Sequence, residues 1–311
     1  MQPLIILTGP TAVGKTDLSL ALARRLDGEI ISADSVQVYR GMDIGSAKIR
    51  PEEMQGVPHH LIDVLDPDEP FDVVRFQGLA KQAVAEISAR GHLPIVTGGT
   101  AFYIQALLKD VAFEEEDASD LRKELEDAAA SDGGAALYEA LKEKDPASAE
   151  AIHPHNVKRV IRALEFYEKN GYPISEHNSR QKARRAPYTF CYFVLTQDRA
   201  VLYERINRRV SRMLADGLEE EVRLLRAQGY GRNLQSMQAI GYREMQAYLD
   251  GEYDLERAAE LIRRNTRHFA KRQLTWFRRE TDAILLDKGN YETETQILEE
   301  MTGLCRCAGV I

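Results

Sequence analysis

Residues 4–16, Leu-Ile-Ile-Leu-Thr-Gly-Pro-Thr-Ala-Val-Gly-Lys-Thr, leave few folds open to this chain. The apolar run from Leu4 to Leu7 predicts a short strand covered on both faces, as in a parallel sheet. It breaks at Gly9 into the spacing Gly9-x-x-x-x-Gly14-Lys15-Thr16, after which a helical pattern begins. Strand, glycine-rich turn and helix in that order are the setting of a phosphate-binding loop, here Gly9, Pro10, Thr11, Ala12, Val13, Gly14, Lys15 and Thr16. Backbone N–H groups of such a loop converge on anionic oxygens, and the helix N-terminus adds positive potential. Lys15 supplies a neutralising charge, and the Thr16 hydroxyl is the expected ligand for Mg²⁺. The motif asks for a phosphate or diphosphate. It does not specify a nucleotide.

The following segments repeat the pattern of a strand that ends in polar residues. A helix over about 15–25 sets Leu18, Leu22 and Leu26 on one face and stops at Asp27-Gly28. Residues 29–33 read as a second buried strand, with Asp34-Ser35-Val36-Gln37-Val38-Tyr39 at its carboxyl end. Residues 93–97 read as a third, ending in Gly98-Gly99-Thr100. Ligands of open parallel α/β sheets sit outside the carboxyl ends of the strands. Topology alone therefore brings the phosphate loop, Asp34 to Gln37 and Thr100 to one edge. The long polar connection over 40–70 lies beside that edge, and connections of this length usually carry function.

Helices are predicted at 71–90 and 101–108. From about Val111 the strand signals stop, and 112–186 read as an all-helical, charged insertion between two parts of a core, 1–111 and 187–311. A strand at 189–195 returns the chain to the sheet. Helices follow at about 198–214, 216–228, 238–249 and 254–280, the last capped by Asp254, and then a strand at 283–287 and a helix near 293–302. The fold class is α/β: a P-loop NTPase-like parallel sheet flanked by helices, carrying a helical insertion domain.

A chain of 311 residues with 44% hydrophobic and 29% charged residues is an ordinary globular composition. No run approaches the roughly 18 apolar residues of a membrane span. The first strand begins almost at once, so no secretory signal is expected. Cys191, Cys305 and Cys307 read as free thiols, and a reducing cytoplasm is the expected compartment. The net charge of −8 averages over an uneven distribution. Glu114, Glu115, Glu116, Asp117, Asp120, Glu124, Glu126 and Asp127 crowd the start of the insertion. Two later segments are basic: 156–185, with Lys158, Arg159 and Arg162, and 257–279, with Lys271, Arg272, Arg278 and Arg279. Either fits a local polyanion site, and either fits a solvated helix face. Charge alone leaves both open.

Gly9-Pro-Thr-Ala-Val-Gly-Lys-Thr16, Asp34-Ser-x-Gln37-x-Tyr39, Gly41-Met-Asp-Ile-Gly45, Gly98-Gly-Thr100 and Tyr103 together resemble the bacterial tRNA dimethylallyltransferase family. So do Arg159-x-x-Arg162-Ala-Leu-Glu165, Met213-Leu-x-x-Gly217-Leu, Ala239-Ile-Gly-Tyr242 and Lys271-Arg-Gln-x-Thr-Trp276. The match runs through the whole chain in order. Ser46 and Ile49 stand where the family usually has Thr and Pro, and Ala101-Phe102 replaces Gly-Leu; none removes a group assigned to chemistry.

The resemblance implies transfer of a dimethylallyl group from dimethylallyl diphosphate to N6 of adenosine 37, beside the tRNA anticodon, with Mg²⁺ at Thr16. It also implies a tRNA gripped between core and insertion. Thr11 and Arg209 become diphosphate contacts in that reading, Asp34 the base that takes a proton from the amine, and Thr100 a group that orients the nucleophile or the base. Asp34, Ser35, Val36, Gln37, Thr100, Arg122, Lys158, Arg159, Arg162, Lys271 and Arg272 become tRNA contacts. Reaching N6 requires drawing the base out of the anticodon-loop stack. Trp276 and Phe277 offer stacking, although aromatics at helical spacing are more often core, and packing is the expectation for Trp276. A monomer and no membrane partner are expected. The alternatives are a P-loop small-molecule kinase using ATP and a non-catalytic tRNA-binding protein.

Overall fold

Leu4, Ile5, Ile6 and Leu7 are fully buried, and the strand they belong to, β1 (Gln2–Thr8), lies inside a six-stranded parallel sheet. A run that is apolar at every position, not at alternate ones, is what a strand covered on both faces requires. The computed structural model describes residues 1–113, 120–182 and 184–311. The acidic residues Glu114, Glu115, Glu116 and Asp117, and Ala183 at the expected exit of the insertion, lie outside the described residues.

The other strands are β2 (Gly28–Ala33), β3 (His59–His60), β4 (Leu93–Gly98), β5 (Tyr188–Thr196) and β6 (Ala283–Asp287), in the spatial order β3-β2-β4-β1-β5-β6. Ile5 of β1 stands opposite Ile95 of β4 on one side and Cys191 of β5 on the other. β2, β4 and β1 are therefore neighbours, and the loops that leave their carboxyl ends emerge side by side. Sequence reading missed β3. It is two residues long, pairs His59 with Ile30 and His60 with Ile31, and has no apolar run to betray it.

Helices α1 (Lys15–Leu26), α2 (Val73–Ala89) and α3 (Ala101–Leu108) precede the insertion. Within it come α4 (Asp120–Asp132), α5 (Ala135–Lys144), α6 (Pro146–Ala151), α7 (Val157–Asn170) and α8 (Ile174–Lys182). After it come α9 (Arg199–Ala215), α10 (Leu218–Ala227), α11 (Tyr242–Leu249), α12 (Leu255–Phe277) and α13 (Glu294–Cys307). Side-chain caps set several starts: Asp72 accepts the Arg75 N–H at 2.8 Å, and Asp254 accepts the Arg257 N–H at 2.8 Å. The helix predicted from 238 begins only at Tyr242. A short 3₁₀ turn, Ser236–Gln238, comes first, and Gly241, at φ 98°, turns the chain between the two.

The chain divides into two compact units, Met1–Leu108 with Pro187–Ile311, and Lys109–Ala186. The first holds the sheet. The second is built by α4 to α8 around Leu141, Ala149, Val160, Ala163 and Leu164. Asp145, 1% exposed, ties its helices together by accepting from the N–H and hydroxyl groups of both Ser148 and Ser175. Among the described residues no helix is long and apolar enough to cross a membrane.

Candidate active site

The phosphate loop depends on glycine at two points. Gly9 has φ 148°, and a Cβ there would lie 2.5 Å from the Leu195 carbonyl oxygen of β5; Gly14 has φ 93° and leads into α1. Lys15 folds back over the loop, its Nζ donating to the Gly9 and Pro10 carbonyls at 3.0 Å each. Burial lowers the Lys15 pKa to about 7, with repulsion from Arg209 adding to the effect and attraction to Asp34 opposing it. Arg209 Nη1 donates to the Thr11 hydroxyl at 3.3 Å. Burial lowers the Arg209 pKa as well, against the pull of Asp34 and Asp17. One turn earlier on α9, Arg205 Nη1 donates to the Val13 carbonyl at 3.4 Å. Thr16 is exposed in the first turn of α1, its carbonyl accepting from the Ser19 hydroxyl. Cations thus gather at Thr11 to Lys15, where an anion's charge would be held.

Asp34 follows β2 and closes a side-chain turn, its Oδ1 accepting the Val36 N–H at 2.8 Å and the Gln37 N–H at 3.3 Å. Both bonds use one oxygen, so Oδ2 has no hydrogen-bond partner among the described residues. The Thr100 N–H donates at 3.2 Å to the carbonyl of Ala33, the residue before Asp34. A Cβ on Gly98 would lie 2.2 Å from that same carbonyl, so only glycine lets the ends of β2 and β4 come this close. Asp34 and Thr100 are consequently fixed side by side. The Thr100 carbonyl accepts the Tyr103 and Ile104 N–H groups and so starts α3.

Ser35 is exposed, and Val36 and Gln37 are half-buried. Gln37 Nε2 faces the Ser46 and Ala47 carbonyls at 3.3 and 3.5 Å, and its Oε1 accepts from the Ser32 hydroxyl at 3.4 Å. The loop that carries those carbonyls is pinned from α10. Glu221 accepts the Asp43, Ile44 and Gly45 N–H groups at 3.0, 2.6 and 3.1 Å, and the Tyr242 hydroxyl at 2.7 Å. Beneath the loop, buried Lys48 donates to Asp43, Asp63 and the Tyr39 carbonyl. No local pattern in the sequence links the segments 41–45 and 239–242 or marks Glu221 and Lys48 as what holds the loop.

In the helical unit, Lys158, Arg159 and Arg162 are exposed on α7. Arg122 pairs at 3.5 Å with both Glu126 and the buried Glu165, so its charge is engaged in holding α4 to α7. In the sheet unit, Lys271 and Arg272 are exposed on α12. Trp276 is half-buried, its indole N–H donating to Glu280 at 2.9 Å and its ring edge-on to Phe102 at 6.3 Å. Phe277, by contrast, is 1% exposed and belongs to the core, which removes it as a stacking surface. Gln273, between these residues, is the group sequence reasoning passed over. Its amide accepts the Thr11 N–H and donates to the Gly99 carbonyl, both at 2.9 Å. Its place within Lys271-Arg-Gln-x-Thr-Trp276 was the available signal.

The family model described as IPP transferase matches residues 37–280. The chain is 57% identical over 302 residues to the tRNA dimethylallyltransferase of Lachnoclostridium phytofermentans, covering 97% of this chain and 96% of the relative. It is 50% identical over 301 residues to that of Geobacillus thermodenitrificans, covering 96% and 95%. Among solved structures, the tRNA isopentenylpyrophosphate transferase of Bacillus halodurans superposes with a TM-score of 0.76 at 45% identity, covering 99% of this chain and 98% of that one. A eukaryotic dimethylallyltransferase acting on tRNA does so with 0.78 at 31% identity, covering 92% and 74%. The kinase and non-catalytic readings find no support among these relatives. With the strand-edge geometry and matches along nearly its full length, this chain belongs to the IPP transferase family, among the bacterial tRNA dimethylallyltransferases.

Proposed function

We propose that the chain transfers the dimethylallyl group of dimethylallyl diphosphate to N6 of adenosine 37 in tRNA, giving N6-(dimethylallyl)adenosine and diphosphate. The observation that carries this reading is the closure of β2 on β4, which sets Asp34 and Thr100 beside a loop crowned by Lys15 and Arg209. Adenine's exocyclic lone pair is delocalised into the ring and attacks poorly. Asp34 accepts the N6 proton as the lone pair forms the new C–N bond, with Thr100 orienting the amine. The electron pair of the breaking C–O bond leaves with the diphosphate. Backbone N–H groups, Lys15, Arg209 and Thr11 stabilise that growing charge.

The residues present suit Mg²⁺ of a particular kind. Among the described residues no cluster of His, Cys, Asp or Glu could hold a metal by itself, whereas the exposed Thr16 hydroxyl opens the first turn of α1. Mg²⁺ is commonly held by few protein groups, substrate phosphates and water. Bound with Thr16 as ligand, it would neutralise charge on the leaving diphosphate. Ser35, Val36 and Gln37 contact the anticodon loop in this reading, and Lys158, Arg159, Arg162, Lys271 and Arg272 its phosphates. The reading implies a cytoplasmic, monomeric enzyme.

The test is mass spectrometry of tRNA incubated with the protein, Mg²⁺ and dimethylallyl diphosphate. A mass gain of one dimethylallyl group on the nucleotide 3′ of the anticodon, with release of diphosphate, is expected. Unmodified tRNA, or a gain elsewhere, overturns the proposal.

A further inference from the structure

Gln273 is 5% exposed and spans two loops of the sheet edge with one amide. Its Oε1 accepts the N–H of Thr11 in the phosphate loop, and its Nε2 donates to the carbonyl of Gly99, just before Thr100. The two groups it satisfies are of opposite kind, a donor and an acceptor. A carboxylate cannot donate to the second, an ammonium cannot accept from the first, and Asn is one methylene short. Gly99 is cut to fit, since a Cβ there would lie 2.3 Å from Nε2. The turn of α12 that carries the amide is anchored by buried Ala270 and Phe277 on either side. Thr11 is thereby held twice, at its N–H by α12 and at its hydroxyl by Arg209 of α9.

We propose that Gln273 is a positioning residue for group transfer. It sets the spacing between the loop that holds the leaving diphosphate and the turn that carries Thr100, and so aligns the donor carbon with the acceptor nitrogen. The inference rests on the reaction proposed above and adds to it a group that touches neither substrate. A displacement requires near-attack geometry, and an error of about 1 Å costs on the order of 10²-fold in rate.

The test uses the full chain with tRNA, Mg²⁺ and dimethylallyl diphosphate, and reads kcat per active site titrated with bound donor, together with tRNA affinity. Gln273→Ala is expected to lower kcat by ~10–100-fold with tRNA affinity within about twofold of wild type. Gln273→Glu provides the discriminating arm. Ionised, it keeps the Thr11 acceptor but sets a carboxylate against the Gly99 carbonyl; protonated, it accepts and donates as glutamine does. Its kcat relative to wild type should therefore rise as the pH is lowered from about 8 to about 6, burial having raised the new carboxyl's pKa. Lys15 and Arg209 both meet the loop that Gln273 holds, so Gln273→Ala, which adds no ionisable group, is followed over the same pH range, and a ratio that changes with pH in Gln273→Glu alone reports the new carboxyl. Wild-type kcat in Gln273→Ala, or a Gln273→Glu ratio that ignores pH, overturns the assignment while leaving the reaction standing. A wild type that transfers nothing overturns both.

Discussion

Gly45 packs against the ring of Tyr242 with no room for a side chain: a Cβ at 45 would lie 2.5 Å from the ring carbon Cζ. The Tyr242 hydroxyl donates to Glu221, which also accepts the N–H groups of Asp43, Ile44 and Gly45. The ring, the carboxylate and the loop form one joint, and the loop's carbonyls at Ser46 and Ala47 face the Gln37 amide. Gly45→Ala should force the ring away from Glu221, at the ~1–3 kcal/mol typical of overpacking. A lower Tm and weaker tRNA binding are expected, with allylic diphosphate affinity unchanged because the phosphate loop is not touched. Calorimetry and separate titrations with the two substrates check this. Wild-type tRNA affinity in a destabilised variant would detach the loop from RNA recognition.

Asp34 holds its turn with Oδ1 alone, which separates its structural role from its chemical one. Asp34→Asn retains an oxygen for the Val36 N–H but loses the proton-accepting charge. Turnover is expected to fall by ~10²-fold or more, the usual scale for a general base, while tRNA affinity stays close to wild type. Single-turnover rates beside equilibrium binding decide it. Near-normal turnover would remove Asp34 as the base.

Much of the sheet edge was legible because its signals are local. An apolar run such as Leu4 to Leu7, a glycine spacing and a carboxylate at a strand end each declare themselves within a few residues. The topological rule then needs no long-range information to bring Asp34, Thr100 and the phosphate loop together. What stayed hidden was pairing between distant segments. Glu221 reads as one acid among three at the start of α10, yet it binds a loop far away in sequence. Gln273 reads as a polar residue in a basic helix, although both its partners lie in loops of the other half of the core. Arg122 was hidden in the same way: the sequence offers it as a cation for RNA, and no local pattern announces its ion pair with Glu165, buried on α7.

Asp145 should govern the stability of the helical unit. Burial alone would push its pKa up, but the bonds from Ser148 and Ser175 outweigh this and hold it below the ordinary carboxylate value. Its contribution is therefore fully present above the unfolded-state pKa and is lost as the pH falls through the folded one. Asp145→Ala leaves four donor groups without their acceptor and should cost on the order of 3 kcal/mol. Hydrogen exchange is expected to rise across Lys109–Ala186 and to stay unchanged in β1 and β4. Uniform protection would show that the unit does not depend on this carboxylate.

Lys158, Arg159, Lys271 and Arg272 are exposed, two on each unit, so neutralising them should not disturb packing. If each meets a phosphate, removing it releases one fewer counterion on binding. The slope of log K against log salt should then flatten by ~0.7–0.9 per cation replaced. Replacement by Gln, singly and in pairs, with affinity measured over a range of salt, tests this. A residue whose loss leaves the slope unchanged lies on a face the RNA does not meet.

Lys15 should impose an alkaline limit on the reaction well below that of an ordinary lysine. Its pKa is lowered to about 7, first by burial and then by Arg209, against the opposing attraction of Asp34. Above that pH the free protein loses the ammonium that would meet the diphosphate. kcat/KM for dimethylallyl diphosphate should therefore decline as the pH rises through about 7, since this ratio reports the free enzyme. A bound anion favours the charged form, so kcat at saturating donor should decline only at higher pH. Lys15→Arg is the control. Its guanidinium stays charged, and a poorer fit over the loop carbonyls is expected to lower affinity at every pH while removing the alkaline limb. A wild-type kcat/KM that holds level to about pH 9 would mean that the lysine keeps its proton in the free protein, against the lowering that desolvation and Arg209 impose.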